Sequence, residues 1–312
     1  MLRRILALIF LTGLILTSLS GGVSVRTLPY RVLGTLDPEL FDEASGLAVS
    51  QQFPGRLYHI NDSGSRGFNF FYTDLYGNLL GETEIRKVKR SAKDVEELTL
   101  GPCGDSSCLY IGNIGDNKRR RPELDVVYVA EEEVYEERTN FWKHLKVRFP
   151  DGMHDAEAMA VHPNGDLYIF TKSWYVYLIV PAPARLYKIS AERIAAAPDA
   201  EVQTLSFVGE LDLPKLSGEV IGGVATSFDI APDGSKFLVL TYNRALEFYT
   251  DLSEEDWKPS DALVKGKDYA LLDIPPLPQQ EAVAYLPNGR DFVYTTELIG
   301  GYGAAEIIEV TR

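Results

Sequence analysis

Pairs of polar residues two positions apart recur along the chain, and carboxylates predominate in them. Side chains two apart on a β-strand point to the same side, so each pair can direct two oxygens at one point. Oxygen ligands without a cluster of Cys or His favour Ca²⁺ over Zn²⁺ or copper, and the four histidines fall on no zinc-binding spacing. The clearest pairs are Asp94 with Glu96, Asp155 with Glu157, and Gln279 with Glu281.

These pairs stand at the head of a pattern that repeats through the sequence. The pattern is a polar residue, a small residue, an apolar pair, a Pro-Asn-Gly or Pro-Asp-Gly turn and an apolar strand, and it is clearest over residues 155–170, 226–242 and 279–297. Two further copies keep the head and lack the turn. The equivalent head residues are Ser45, Glu96, Glu157, Thr226 and Glu281, at intervals of 51, 61, 69 and 55 residues.

The segments between the heads predict an all-β fold. Short runs rich in Val, Ile, Leu, Tyr and Phe alternate with turn residues, and helical periodicity is confined to residues 191–197. Four-stranded units in series are typical of a β-propeller, here with five blades, or six if the 69-residue interval hides an irregular blade. The last unit ends after three strands, so a strand from residues 25–28 or 30–33 is expected to close the ring.

The propeller geometry predicts which polar residues meet. The first strand of each blade lines a central channel and the second runs back antiparallel, so first-strand starts and second-strand ends share one face. We expect a ligand-binding channel mouth there. Its residues besides the three glutamates of the pairs are Glu43, Ser45, Asp62, Asp94, Asp116, Asp155, Lys172, Thr226 and Glu297.

Glu96, Glu157 and Glu281 would repel one another strongly in a bare inner ring. Protons, a basic group such as Lys172, or a bound cation would relieve that repulsion. Two interpretations stay open. One is a metal site in which the three glutamates hold Ca²⁺ or another hard cation. The other is a structural network in which they accept hydrogen bonds from backbone amides of neighbouring blades around a water-filled channel.

The N-terminus has the features of a secretory signal peptide. Met1–Arg4 is cationic, residues 5–16 are almost wholly apolar, and small residues follow up to Ser20. A transmembrane anchor is the alternative, although the apolar run is shorter than the ~20 residues that a bilayer needs. We expect a signal peptide over residues 1–20, a single propeller domain over residues 21–312, and a secreted or periplasmic protein without a stable membrane span after cleavage.

The only two cysteines, Cys103 and Cys108, enclose four small or polar residues. In an oxidising compartment this spacing predicts a disulfide that closes a short hairpin loop. The lack of a second cysteine pair and of a nearby histidine argues against a metal role for these cysteines.

The composition excludes two broad classes of protein. A net charge of −14 and a sequence pI near 4.8 argue against a nucleic-acid partner, because phosphate backbones require a basic face. A content of 45% hydrophobic residues excludes global disorder. The one strong basic run, Lys118–Arg121, predicts either a solvated loop tip or a grip on an anion above the acidic ring.

Taken in order and spacing, the repeat heads resemble those of the SdiA-regulated family of exported bacterial β-propellers. The resemblance rests on residues 43–47, 94–96, 155–159, 226–227 and 280–283, together with Lys172 and Glu297 at second-strand ends. It implies a five-bladed, YVTN/WD40-like propeller with a central calcium site and no established enzymatic activity. Glu96, Glu157 and Glu281 would form its acidic ring, beside Ser45, Lys172 and Glu297. A looser similarity links the chain to propellers described as esterase-like phytases.

Two functions follow as hypotheses. The first is a calcium-binding propeller that presents its channel mouth to a small molecule or a protein. The second is a metal-dependent hydrolase of phosphoesters, esters or lactones, in which the cation polarises the substrate, Glu157 or Glu281 acts as base, and Arg119–Arg121 hold the anion. The sequence assigns no catalytic residue.

Overall fold

A computed structural model describes residues 28–312 except 42, 63–67, 87, 89–92, 177–178, 220, 255–256, 258–261, 276 and 299–304. The predicted signal peptide lies outside the described residues. So does the alternative closing strand over residues 25–28, apart from Leu28. In the described part of the chain, no helix is long and apolar enough to cross a membrane.

The described strands form five antiparallel blades around a central channel. Blade 1 contains β2 (Ala44–Val49), β3 (Arg56–Asn61), β4 (Asn69–Asp74) and β5 (Leu79–Arg86). Blade 2 contains β6 (Glu97–Cys103), β7 (Ser106–Asn113), β8 (Leu124–Ala130) and β10 (Lys143–Arg148). Blade 3 contains β11 (Ala156–Val161), β12 (Leu167–Thr171), β15 (Ala184–Ile189) and β17 (Ser206–Leu211). Blade 4 contains β18 (Ala225–Ile230), β19 (Phe237–Thr241), β20 (Ala245–Phe248) and β21 (Tyr269–Leu272).

Blade 5 closes the ring with a strand from the other end of the chain. It contains β22 (Gln280–Tyr285), β23 (Phe292–Thr296), β24 (Glu306–Val310) and, outermost, β1 (Tyr30–Thr35), which pairs antiparallel with β24. The innermost strands β2, β6, β11, β18 and β22 contact one another in cyclic order. The prediction of five blades closed by an N-terminal strand is therefore confirmed.

Short strands and helices are added to the four-stranded blades. The strands β9 (Arg138–Asn140) and β16 (Val202–Thr204) pair in parallel with β5 and β10. The hairpin β13 (Trp174–Val176) and β14 (Val180–Pro181) and the helices α1 (Ala191–Ala196) and α2 (Leu213–Ser217) occupy the longest repeat interval. This interval therefore adds loops and short helices to blade 3, and the described residues form no sixth blade.

The core lies between the blades. Among the described residues, each of five hydrophobic clusters joins one blade to the next. Phe170 of blade 3 and Phe228 of blade 4, for example, have ring centroids 5.0 Å apart. Burying one such side chain contributes about 1.5–3 kcal/mol. All residues of β2, β11 and β22 are buried, and they include many small side chains because the inner strands converge on the axis.

Cys103 and Cys108 form the predicted disulfide, with a Cα–Cα distance of 5.7 Å. The bond closes the turn between β6 and β7, at the face of the disc opposite the first-strand starts.

Candidate functional site

The channel mouth is built by backbone contacts that repeat in every blade. A backbone N–H at the end of the second strand donates to a carbonyl just before the first strand, at 2.8–3.2 Å. First-strand starts and second-strand ends therefore meet at one face. The donor and acceptor residues are Asp62 and Glu43, Gly115 and Asp94, Lys172 and Asp155, Tyr242 and Gly222, and Glu297 and Gln279.

Each residue that heads a repeat lies at an irregularity of its inner strand. Glu157, Thr226 and Glu281 are the extra residues where the register shifts in blades 3, 4 and 5. In blade 1 the register shift lies between Ala44 and Leu47 and includes Ser45. In blade 2 the Glu96 N–H donates to the carbonyl of Gly112, which is also the register partner of Glu97. A β-bulge changes the direction in which a side chain points from its strand. The repeat heads are thus bulge positions.

Lys172 is the cation at the centre of the mouth. Its buried ammonium contacts Glu157 Oε2, donates to the Tyr242 hydroxyl at 2.7 Å, and lies 4.9 Å from the Tyr242 ring centroid. Burial opposes its charge, but Glu157, Tyr242 and Glu281 together raise the pKa of Lys172 well above its usual value. Burial raises the pKa of Glu157, and Lys172 counteracts that rise.

A second group of carboxylates lies on the side of blades 1 and 2. Asp62, Asp94 and Glu96 each place an oxygen within 4.8 Å of the others. Glu96 is buried, and the Ser45 hydroxyl donates to its backbone carbonyl at 2.8 Å. Burial, followed by the charges of Glu157, Asp62 and Asp94, raises the pKa of Glu96 well above its usual value.

Gly115 allows the loop after β7 to approach these carboxylates. A Cβ atom there would lie 2.6 Å from both the Asp94 carboxyl carbon and Glu96 Oε1. Any other residue would therefore displace Asp94 or Glu96, and the sequence pattern alone gave no reason to single out this glycine.

Glu281 and Glu297 form the blade 5 side of the mouth. Gln279 donates to Glu297 Oε2 at 2.6 Å, and Gln279 has a φ of 55°, in the left-handed region. Burial raises the pKa of Glu281, which Lys172 opposes, while Glu157, Glu297 and Asp62 raise it further.

Asp155 and Asp116 hold the loop that carries the basic run. Asp155 Oδ1 accepts from the Asp116 N–H at 2.7 Å, and the Asp116 carboxylate accepts from the N–H groups of Arg120 and Arg121 at 2.9 and 2.6 Å. The Arg121 guanidinium donates to the carbonyls of Gly115 and Asn113. Asp116 and Arg121 therefore support the loop, while residues 118–120 are exposed as at a solvated tip.

Buried side-chain oxygens near the mouth include two in blades 4 and 5 for which the described residues offer no hydrogen-bond partner. They are Thr226 Oγ1, in a residue 1% exposed, and Gln280 Oε1, in a residue 0% exposed. The Gln280 amide nitrogen donates to the Thr241 carbonyl at 3.2 Å. A buried oxygen without a donor is costly, and water or a cation can satisfy it.

The donor set fits a hard cation. Ca²⁺ takes six to eight oxygen ligands at about 2.3–2.6 Å, commonly carboxylates, carbonyls and water. Asp62, Asp94 and Glu96 supply three carboxylates in one place, whereas Glu157 of the predicted triad is held by Lys172. The structure thus groups Glu96 with two acids that the sequence assigned only to the mouth.

Sheet order and ring closure define the chain as a five-bladed β-propeller with an acidic channel mouth. No family model and no curated protein matches the sequence. Similar solved structures include the WD40 domain of Pan2 from Neurospora crassa, with 7% identity over 86% of this chain and 63% of that chain and a TM-score of 0.37. The Dos1 propeller has 12% identity over 81% and 53%, with a TM-score of 0.39. A gluconolactonase from Xanthomonas campestris has 11% identity over 86% and 72%, with a TM-score of 0.43.

Proposed function

We propose that this chain is an exported propeller that binds Ca²⁺, or a chemically similar hard divalent cation, and presents its channel mouth to a small molecule or protein. The observation that carries the proposal is the group of Asp62, Asp94 and Glu96, whose oxygens lie within 4.8 Å of one another. Bound there, the cation would supply positive charge to the mouth and order its loops.

Charge balance supports a cation on this side of the mouth. Two unit charges 4 Å apart interact by about 4 kcal/mol at an effective dielectric constant near 20. Lys172 contacts Glu157 and lies in the field of Glu281. Burial and the charges of Glu157, Asp62 and Asp94 raise the pKa of Glu96, and Lys172 offsets this rise only in part. A divalent cation would offset this repulsion without requiring the carboxyl groups to hold protons.

Export and family membership belong to the same proposal. The signal-like residues 1–20 and the disulfide support an oxidising compartment. The order of the repeat heads supports membership of the SdiA-regulated family.

Hydrolysis is the second candidate function. Glu281 supports it as a buried carboxyl group with a raised pKa, which suits a general base. Two contacts favour the binding module instead. Glu157, the other candidate base, is engaged by Lys172, and Arg121 donates to backbone carbonyls of its own loop. A panel of phosphomonoesters, lactones and aryl esters, assayed with Ca²⁺, tests the candidate. Cation-dependent turnover that is lost in Glu281→Gln would establish it.

Calorimetric titration of the mature protein with CaCl₂ tests cation binding directly. We expect saturable binding of one ion, a rise in Tm with Ca²⁺ that EDTA reverses, and an affinity at least tenfold weaker in Glu96→Gln. Asp105→Asn is the matched control, because Asp105 is exposed in the disulfide turn at the other face. The absence of binding heat together with an unchanged Tm in EDTA would refute the proposal.

A further inference from the structure

The opposite end of the channel opens into a cavity of about 450 Å³. It lies where the inner strands end, at the face that carries the disulfide turn. Its size falls in the range of small-molecule sites. Five of its lining residues come from the five inner strands or the turns that follow them: Val49, Leu100, Val161, Ile230 and Tyr285.

A contact across the channel separates this cavity from the acidic mouth. Glu97 of blade 2 is 1% exposed, and its Oε2 accepts from the Ser227 hydroxyl of blade 4 at 2.6 Å. The same hydroxyl accepts from the Val283 N–H of blade 5 at 3.1 Å. These bonds join three inner strands across the axis, so the cavity is distinct from the cation site.

The cavity lining combines apolar side chains with neutral polar ones, such as Gln51 and Ser106, and with two carboxyl groups. Among the described residues that line it, Glu131 and Asp229 are the only ionisable acids, and none is Lys, Arg or His. Acidic groups without a basic one make such a lining repel an anion and attract a cation. It suits a ligand with an apolar body and a positively charged donor.

Glu131 lines the cavity at the end of the third strand of blade 2. The residue is 7% exposed, and its Oε1 accepts from the Ser50 hydroxyl at 2.5 Å and from the Tyr58 hydroxyl at 3.3 Å. Its Oε2 is buried without a hydrogen-bond partner among the described residues. Glu131 therefore contributes to the cavity wall a carboxyl group whose second oxygen is not satisfied by the described residues.

Asp229 supplies the second carboxyl group from another blade. Its Oδ2 accepts from the Tyr285 N–H at 2.7 Å. The side chain is half-buried, because it lies within the concave cavity wall. Burial raises the pKa of Asp229 to about 7, while the N–H groups of Tyr285 and Ile230 oppose the rise.

We propose that this cavity binds a small organic cation, namely a primary or secondary ammonium group on an apolar body, with Glu131 and Asp229 as its anionic partners. The apolar wall holds the body, and the two carboxylates hold the ammonium. This site is independent of the proposed cation site at the mouth.

Benzylammonium chloride is a suitable probe, with benzyl alcohol and sodium benzoate as neutral and anionic controls of the same size. Ligand-observed NMR titrations at pH 8 should show saturable binding of benzylammonium, at least tenfold weaker binding of the alcohol, and no binding of benzoate. Asp229→Asn and Glu131→Gln should each weaken benzylammonium binding at least tenfold, whereas Glu96→Gln at the other mouth should leave it unchanged.

Absence of benzylammonium binding to the folded wild-type protein would overturn the proposal. Equal binding of benzoate, or wild-type affinity in the Asp229→Asn variant, would do the same. Circular dichroism of each variant identifies loss of folding, and Asp229→Asn keeps the proposal open to refutation if Glu131→Gln does not fold.

Discussion

The ammonium group of Lys172 links three blades at the channel mouth. It extends from blade 3, contacts Glu157 of the same blade, donates to Tyr242 of blade 4 and opposes the burial that raises the pKa of Glu281 in blade 5. Buried ion pairs add little net stability when intact, but removing one partner leaves an unpaired buried charge.

Lys172→Met should therefore destabilise the protein by about 3–5 kcal/mol at pH 8. Urea denaturation measures this change. Lys172→Met combined with Glu157→Gln should regain most of the loss, because the double variant removes both charges. A Lys172→Met variant as stable as the wild type would contradict the role assigned to this pair.

His59 gives blade 1 a pH-dependent stability. The imidazole is buried against Thr73 at 3.0 Å, and burial lowers its pKa from 6.5 to about 3. The unfolded chain therefore binds a proton near pH 6.5 that the folded chain rejects. The contribution of His59 to stability is complete above pH 6.5 and is lost as the pH falls toward 3.

Between pH 7 and pH 5 this difference corresponds to about 2 kcal/mol. Free energies of unfolding from urea titrations at the two pH values should fall less in His59→Gln than in the wild type by about that amount. Parallel losses in the two proteins would show that His59 is not the group responsible.

The sequence predicted the members of the mouth but not all of their partners. The repeat aligned Glu96, Glu157 and Glu281, and these residues do share bulge positions. Tyr242 was not among the predicted mouth residues, although its backbone bond to Gly222 makes it the blade 4 equivalent of Lys172. The role of Glu97 was not predicted, because a repeat pattern does not show that its carboxylate reaches across the channel to the Ser227 hydroxyl.

At the scale of elements, the alternation of apolar runs and turns was sufficient to predict the strands and their order. Blade 3 is the exception. Its outer segment is not one continuous strand, because the buried Leu205 interrupts it. The segment divides into β16, which joins blade 2, and β17, which completes blade 3. The helix α2 has five residues and carries too little periodicity to be predicted.

The disulfide stabilises the hairpin of β6 and β7. It closes a loop with a sequence separation of 5, for which the chain-entropy relation gives about 2 kcal/mol. The double variant Cys103→Ser, Cys108→Ser should lose about this free energy of unfolding in urea while retaining Ca²⁺ affinity, because the bond lies at the face opposite the mouth. Loss of Ca²⁺ binding in the folded variant would contradict that separation of the two faces.

At the scale of the whole molecule, closure of the ring brings residues that are distant in sequence together at the two ends of one channel. Strand starts gather carboxylates at one mouth, and strand ends form the apolar cavity at the other. The bonds of Glu97 to Ser227 and Phe228 lie between them. The repeat predicted this gathering of acids, whereas the cavity depends on packing between turns, which no local pattern encodes.

The most direct test of the cation site is the anomalous X-ray signal of crystals grown with CaCl₂. The proposed function predicts a calcium peak at the channel mouth, with carboxylate oxygens of Asp62, Asp94 and Glu96 at about 2.3–2.6 Å. A mouth without a peak, in crystals where calcium is bound only at other positions of the protein, would contradict it.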